Sequence, residues 1–246
     1  MASGTRYWLV MPAAGASRRF GGAGPKQHLP LAGRTVLELA LQLFKDDTRC
    51  LGIALALSQA ALADQPLRER LGDKVSAVAG GQRRCDSVLA GLAALARAGA
   101  DDWVLVHDAA RPCLSAADLE QLLAAGTQHP VGALLADPLS DTLKRADAAS
   151  GCEGTVDRSS LWRALTPQMF RYRALRAALQ AAIDKGRAPT DEAQAMEWQG
   201  LRPLLIAARD SNIKITNEHD LALALAIISA RAGQAQAPAA VTGMHP

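Results

Sequence analysis

Between residues 12 and 27 the chain reads P-A-A-G-A-S-R-R-F-G-G-A-G-P-K-Q, directly after the apolar run Y-W-L-V-M. Ala13, Ala14, Gly15 and Ala16 have almost no side chain, so backbone N–H groups can approach phosphate oxygens closely. Arg18, Arg19 and Lys26 place positive charge in the same stretch. A nucleoside triphosphate carries about four negative charges, and a reacting phosphoryl group gathers more on its equatorial oxygens. The stretch from Ala13 to Lys26 is therefore expected to grip a triphosphate during nucleotidyl transfer. Small residues alone would equally describe a flexible loop with solvated cations. Their place at a strand exit, where ligands bind in open parallel sheets, favours the phosphate. The loop is not a P-loop, since no G-K-[ST] follows, and Ser17 interrupts the G-x-G-x-x-G pattern of dinucleotide sites.

A second cluster reads V-L-V-H-D-A-A-R-P-C. Asp108 falls at a strand end, where a carboxylate can reach Mg²⁺ bound to phosphates. Arg111, three residues on, can face an anionic substrate. The alternative is that Asp108 and Arg111 pair with each other or cap the next helix. His107 is a possible base, but a phosphate nucleophile is already ionised at neutral pH, so a structural role is expected for it.

Weaker signals follow. Thr142, Lys144, Arg145, Thr155 and Arg158 share one polar segment, Thr166 precedes Pro167, Thr190 opens T-D-E-A, and Lys214 lies in D-S-N-I-K-I-T. Hydroxyls and cations recurring at element boundaries suit a polyol phosphate. Each also admits a plainer reading, because threonines cap helices and lysines solvate surfaces.

The elements that must position these residues are legible as alternating patterns. Tyr7 to Met11, Leu51 to Leu57, Val75 to Ala79, Trp103 to Val106 and Val131 to Ala136 are continuous apolar runs, as expected of strands covered on both faces. Val88, Leu92 and Leu95 repeat at helical spacing after Arg84, as do Leu221, Leu225 and Ile228 near the end. Ser115 with Asp118 forms a capping-box signature. Strand–helix alternation predicts an α/β fold with a mostly parallel sheet and right-handed crossovers. The polar stretch from Asp137 to Arg158 breaks this rhythm and is long for a simple connection. Composition leaves it open between an arm that packs on another subunit and a solvated loop. Residues 1–231 are expected to form one domain, with 232–246 a mobile tail.

Of 246 residues, 49% are hydrophobic, enough for a substantial core in one generous domain. Lysine and arginine number 27 against 24 aspartates and glutamates, an excess too small to imply a polynucleotide partner. Cys50, Cys85, Cys113 and Cys152 form no C-x-x-C pair, so free thiols in a reducing compartment are expected. No signal-like or membrane-spanning run is present, which points to the cytoplasm.

Taken in order, A-A-G-A-S-R-R with P-K-Q, G-G-Q-R-R-C-D-S-V-L-A-G-L, V-H-D-A-A-R-P, D-T-L-K-R, A-L-T-P-Q, T-D-E-A and N-I-K-I-T resemble the 2-C-methyl-D-erythritol 4-phosphate cytidylyltransferases. These are enzymes of the bacterial and plastid non-mevalonate isoprenoid pathway, and the resemblance runs from about Trp8 to Ile228. It implies a Rossmann-like three-layer domain with a projecting β-arm used in dimerisation. It also implies that CTP and methylerythritol 4-phosphate give a CDP-alcohol and pyrophosphate, with Mg²⁺.

Motif by motif, the resemblance puts Ala13, Ala14 and Gly15 on the triphosphate, and Arg19 and Lys26 at the reacting α-phosphorus as catalytic groups. Gly80, Gly81 and Ser87 would read cytosine. Asp108, with Ala109 beside it, would face the nucleotide and hold the metal, together with Asp210. Arg111, Thr142, Arg158, Thr166, Thr190 and Lys214 would surround the methylerythritol phosphate, Thr142 and Arg158 reaching it from the arm of a neighbouring subunit. Two positions depart from the family pattern: Ser17 replaces a common glycine, and Gln82 stands where many members have an acidic residue. Serine tolerates turn conformations, and base contacts made by the paired glycines would preserve CTP selectivity. The chain ends soon after its last helix, so a fused second enzyme is not expected. Rival readings are a ribitol 5-phosphate cytidylyltransferase and a non-catalytic nucleotide-sugar sensor on the same fold. T-P-Q followed by T-D-E-A favours methylerythritol phosphate over ribitol phosphate.

Overall fold

In a computed structural model, residues 4–15 and 25–236 are described, the last three by backbone alone. In chain order the first elements are β1 (Tyr7–Ala13), a 3-10 turn (Lys26–His28), β2 (Pro30–Leu31), β3 (Arg34–Thr35), α1 (Val36–Asp46), β4 (Cys50–Leu57), α2 (Gln59–Ala63), α3 (Gln65–Leu71) and β5 (Val75–Ala79). Then come α4 (Arg84–Ala94), β6 (Trp103–Val106), α5 (Ala116–Gly126), β7 (Gly132–Pro138), β8 (Leu143–Ala146) and β9 (Cys152–Val156). The chain continues through β10 (Trp162–Arg171), α6 (Tyr172–Asp184), α7 (Glu192–Glu197), β11 (Leu204–Ala207) and α8 (Glu218–Gln236).

Seven strands form one sheet in the order β11-β7-β10-β6-β1-β4-β5. All neighbours are parallel except β10, which runs antiparallel to both β6 and β7. Alternation along β1 divides the core. Tyr7, Leu9 and Met11 pack with Leu37, Leu41 and Phe44 of α1 and with Leu119, Leu122 and Leu123 of α5. Trp8 and Val10 face the other way, onto Val88 and Leu92 of α4 and Leu175 and Leu179 of α6. Helices therefore cover both faces of the sheet, as its apolar runs require. Each fully buried Leu or Val contributes about 1.5–3 kcal/mol.

The sequence pattern does not announce β10 or β11. Pro167 sits inside β10, where a missing N–H interrupts the ladder, and the register against β7 slips between Ala164 and Gln168. β11 is an edge strand of four residues, with Leu204 and Leu205 exposed. The capping box expected at α5 is half formed. Ser115 accepts the Asp118 N–H, but the Asp118 carboxylate turns instead to the Arg209 N–H, at 2.8 Å. Along α8 the buried position is Ala224, flanked by Leu221, Ile227 and Ile228. The expected stripe is corrected there, since Leu225 points to solvent. The helix also runs to Gln236, past the tail boundary placed at 232, and the rest of that tail lies outside the described residues.

The odd segment is ordered as a β-hairpin. β8 and β9 pair antiparallel in a separate two-stranded sheet, and Lys144 bonds its cross-strand partner Thr155 at 2.6 Å. Most of its side chains are exposed.

Candidate active site

Because β1, β4, β5, β6 and β11 run in one direction, they deliver their carboxyl ends to the same side of the sheet. Between β6 and β4 the chain order reverses about β1, which is where open α/β sheets form a crevice. A cavity of about 570 Å³ opens there. Its walls are Pro12 to Gly15 after β1, Lys26 and Gln27 after the loop, and Gly81 to Arg84 with Ser87 beside β5. Asp108 to Ala110 after β6, and Lys214 and Thr216 after β11, complete them.

Glycines make the approach of these walls possible. A Cβ on Gly80 would fall 2.4 Å from the Ala14 Cβ, and one on Gly81 would fall 2.3 Å from the Asp86 Cβ. The Ser87 hydroxyl, buried at the start of α4, accepts the Gly81 N–H at 3.1 Å. Asp86 accepts the Arg83 N–H at 3.1 Å and also the Arg83 guanidinium, which fixes the first turn of α4 beside the cavity.

Asp108 is the acidic side chain among the described cavity walls, and it stands among cations. Its Oδ2 accepts from Lys214 Nζ at 2.8 Å and lies 3.7 Å from Arg111 Nε; its Oδ1 accepts from Arg84 Nε at 3.0 Å. Burial opposes its charge, but Arg84, Lys214 and Arg111 outweigh that and hold the carboxyl well below the usual carboxylate range. Arg84 also grips the fully buried Glu192 of α7 at 2.6 and 3.1 Å. Arg84 and Glu192 were not singled out by sequence reasoning. The doubled arginine after G-G-Q and the glutamate of T-D-E-A were the available signals, but their pairing spans 108 residues.

His107 is fully buried and does not line the cavity. Its Nε2 lies 3.0 Å from the Arg111 carbonyl, which can only accept, so Nε2 carries the proton. Nδ1 then accepts from the Thr166 hydroxyl at 3.0 Å, and that hydroxyl accepts the Asp108 N–H at 3.1 Å. Burial pushes the imidazole pKa down to about 4. The ring is a strut between β6 and β10.

The remaining predicted residues are distributed unevenly. Ala13, Ala14, Gly15, Lys26, Gly81, Ser87, Asp108, Ala109 and Lys214 share the cavity. Gly80 lies just behind it, against Ala14. Arg111 is buried behind Asp108, donating to the Asn212 carbonyl at 2.7 Å. The Thr166 hydroxyl has the two protein partners just described. Thr190 is exposed, its N–H donating to the Gln194 side chain, and Asp191 rather than Thr190 caps α7. Thr142, just before β8, and Arg158, just after β9, lie at the open end of the hairpin and do not line this cavity. Asp210 is half exposed, with a contact of 3.9 Å to Arg231, and does not line it either. Arg19 lies outside the described residues.

Among the described residues no three His, Cys, Asp or Glu side chains gather to hold a metal by themselves. Mg²⁺ commonly binds through one or two carboxylates plus substrate phosphates and water. Asp108 is the carboxylate that would hold it at this cleft, where its two oxygens now accept from Arg84 and Lys214, and Asp210 does not share its cavity. No helix among the described residues is long and apolar enough to cross a membrane. Cys50, Cys85, Cys113 and Cys152 are all free thiols.

A cleft walled by small residues and cations at the switch point of such a sheet belongs to the α/β nucleotidyltransferases. The model of the 2-C-methyl-D-erythritol 4-phosphate cytidylyltransferase family matches residues 7–230, and the chain belongs to that family. The Acidithiobacillus ferrooxidans (strain ATCC 53993 / BNL-5-31) protein of that name is 51% identical over 233 residues, covering 92% of this chain and 98% of its own. The Ectopseudomonas mendocina protein of the same name is 48% identical, covering 89% and 94%. Among solved structures, the Francisella tularensis 2-C-methyl-D-erythritol 4-phosphate cytidylyltransferase is 31% identical with a TM-score of 0.78, covering 91% of this chain and all of that one. A 4-diphosphocytidyl-2C-methyl-D-erythritol synthase is 33% identical with the same TM-score, covering 91% and 99%.

Proposed function

We propose that this chain joins CTP and 2-C-methyl-D-erythritol 4-phosphate to give 4-diphosphocytidyl-2-C-methyl-D-erythritol and pyrophosphate. The observation that carries the mechanism is the cleft in which Ala13 to Gly15 and Lys26 face Asp108, Lys214 and Arg84. An oxygen of the substrate phosphate attacks the α-phosphorus in line. The bond from that phosphorus to the bridging oxygen breaks, and pyrophosphate leaves with the electron pair. The attacking phosphate is already ionised, so no base is needed, consistent with His107 being a strut.

The small residues of the loop leave room for the triphosphate. Lys26, with Arg19, meets charge that grows as the α-phosphorus becomes pentacoordinate. Gly81 and Ser87, with Gly80 packed just behind them, form the side of the cleft assigned to cytosine, whose ring is smaller than a purine. Mg²⁺ held by Asp108 and the phosphates would supply further charge neutralisation.

Lys214 faces the acceptor phosphate from the cleft wall. Thr142 and Arg158 serve a neighbouring subunit's site in a homodimer that exchanges arms, a reading supported by the exposed hairpin. Thr190 is assigned to the margin of the same subsite, whereas Arg111 and Thr166, buried behind the cleft, act through Asp108, with which Arg111 pairs and whose N–H the Thr166 hydroxyl accepts. The cytoplasm is proposed as the setting, in keeping with the four free thiols.

Pyrophosphate release with purified methylerythritol 4-phosphate and ribitol 5-phosphate, each with all four nucleoside triphosphates, tests the reading. Fastest turnover is expected with CTP and methylerythritol phosphate; faster use of ribitol phosphate would overturn the choice of acceptor.

A further inference from the structure

The P-K-Q motif closes the phosphate loop, yet only its lysine has been given a task. Gln27 sits in a three-residue 3-10 turn beside the cleft and is 5% exposed. A glutamine so placed must satisfy its amide inside the protein. Its Nε2 donates to the Ala13 carbonyl at 2.8 Å and lies 3.5 Å from the Gly15 carbonyl. The first is a short buried bond, and the second is at the outer limit of a weak one. Pro25, extended at φ −67°, leads the chain into this turn.

We propose that Gln27 is a positioning residue, a latch that ties the end of the phosphate loop to its beginning and keeps two carbonyl oxygens away from the bound triphosphate. This rests on the nucleotidyl-transfer reading above. Within one trans peptide the C=O and N–H point in opposite directions. Holding the Ala13 carbonyl therefore fixes the direction of the Ala14 N–H, and Ala14 is a wall of the cleft. A released carbonyl would turn partial negative charge toward the phosphates, which is the opposite of what the loop needs. The latch also fixes the distance between Ala13 and Lys26, the neighbour of Gln27, so the backbone donors and the cation act as one unit.

Two substitutions separate this role from simple packing. Gln27→Glu keeps the shape but replaces the donor with an acceptor facing two carbonyl oxygens. Gln27→Met keeps the approximate volume and removes the donor without adding charge. Calorimetry with CTP and with inorganic tripolyphosphate should show binding weakened about tenfold in the Met variant, and more in the Glu variant. The KM for methylerythritol 4-phosphate should change less than about twofold. Unchanged CTP and tripolyphosphate binding in the Met variant, or equal loss for both substrates accompanied by a large fall in Tm, would overturn the latch. The Met variant keeps the test decisive if the buried charge of the Glu variant prevents folding. Binding is measured without acceptor, so it judges the latch even if the wild-type chain fails to use methylerythritol phosphate. Wild-type turnover judges the activity separately.

Discussion

Lys214 Nζ donates to Asp108 Oδ2 at 2.8 Å, joining two residues 106 positions apart across the mouth of the cleft. The segment bearing Lys214 is held there by the Ile215 N–H, which donates to the Ala110 carbonyl at 2.8 Å. The Lys214 side chain is 40% exposed and lines the cleft while its ammonium rests on Asp108. Asp108 does not lose its ionisation if Lys214 turns to a phosphate, because Arg84 and Arg111 remain beside it.

Lys214→Met should accordingly act on the acceptor more than on the protein. The expected outcome is a loss of about tenfold to a hundredfold in kcat/KM for methylerythritol 4-phosphate, from removal of one charge-assisted contact. The CTP dissociation constant should move by less than about threefold. Steady-state kinetics beside calorimetry checks this, and an effect confined to CTP would place the lysine on the wrong substrate.

Lys26→Ala should lower turnover by at least about a hundredfold, the loss typical of one donor that stabilises transition-state charge. Binding of CTP should fall less, since the loop backbone and the base contacts remain. Single-turnover measurements at saturating CTP separate the two effects; undiminished turnover would remove Lys26 from the mechanism.

The arm assignment can be read in mixed dimers. Lys26→Ala and Arg158→Ala chains are each expected to be nearly inactive alone. If arms are exchanged, a heterodimer has one site with an intact Lys26 and an intact Arg158, so statistical mixing restores about a quarter of wild-type activity. If each arm serves its own chain, no site in the mixture is complete and activity stays at the background of the parents.

Stability should fall on mild acidification because of His107. Its folded pKa of about 4 lies below the ordinary 6.5, so between these values the unfolded chain binds a proton that the folded one refuses. Stability contributed by the neutral buried ring is complete above about pH 6.5 and is lost as pH falls toward 4, with a slope of up to about 1.4 kcal/mol per unit. The half-buried His28, also depressed by burial, adds to the same trend. Urea unfolding across this range should show the decline, and His107→Gln should flatten it. A slope unchanged in that variant would assign the effect elsewhere.

The sequence by itself determined much of the fold and the outline of the site. A continuous apolar run made β6 readable to its ends, because a strand covered on both faces needs no polar alternation; β5, read to the same bounds as observed, is an edge strand whose residues are partly buried or exposed. The crowding of small residues after β1 marked the phosphate loop, because only such residues admit a ligand to the backbone. The ordered motifs together carried the family, although no one of them did.

Only the tertiary structure decided which charges meet. Arg84 reaches both Asp108 and Glu192, and Thr166 joins His107 to the Asp108 backbone, through pairings that cross the sheet and leave no local period. β10 escaped notice because Pro167 looks like a strand breaker until a slipped register accommodates it. Gln27 draws no separate reading as part of P-K-Q, and only the fold buries it against the carbonyls of Ala13 and Gly15. Hydrophobic patterning is a property of neighbours along the chain, whereas a polar partner is chosen by proximity in space, which is created when the strands take their order.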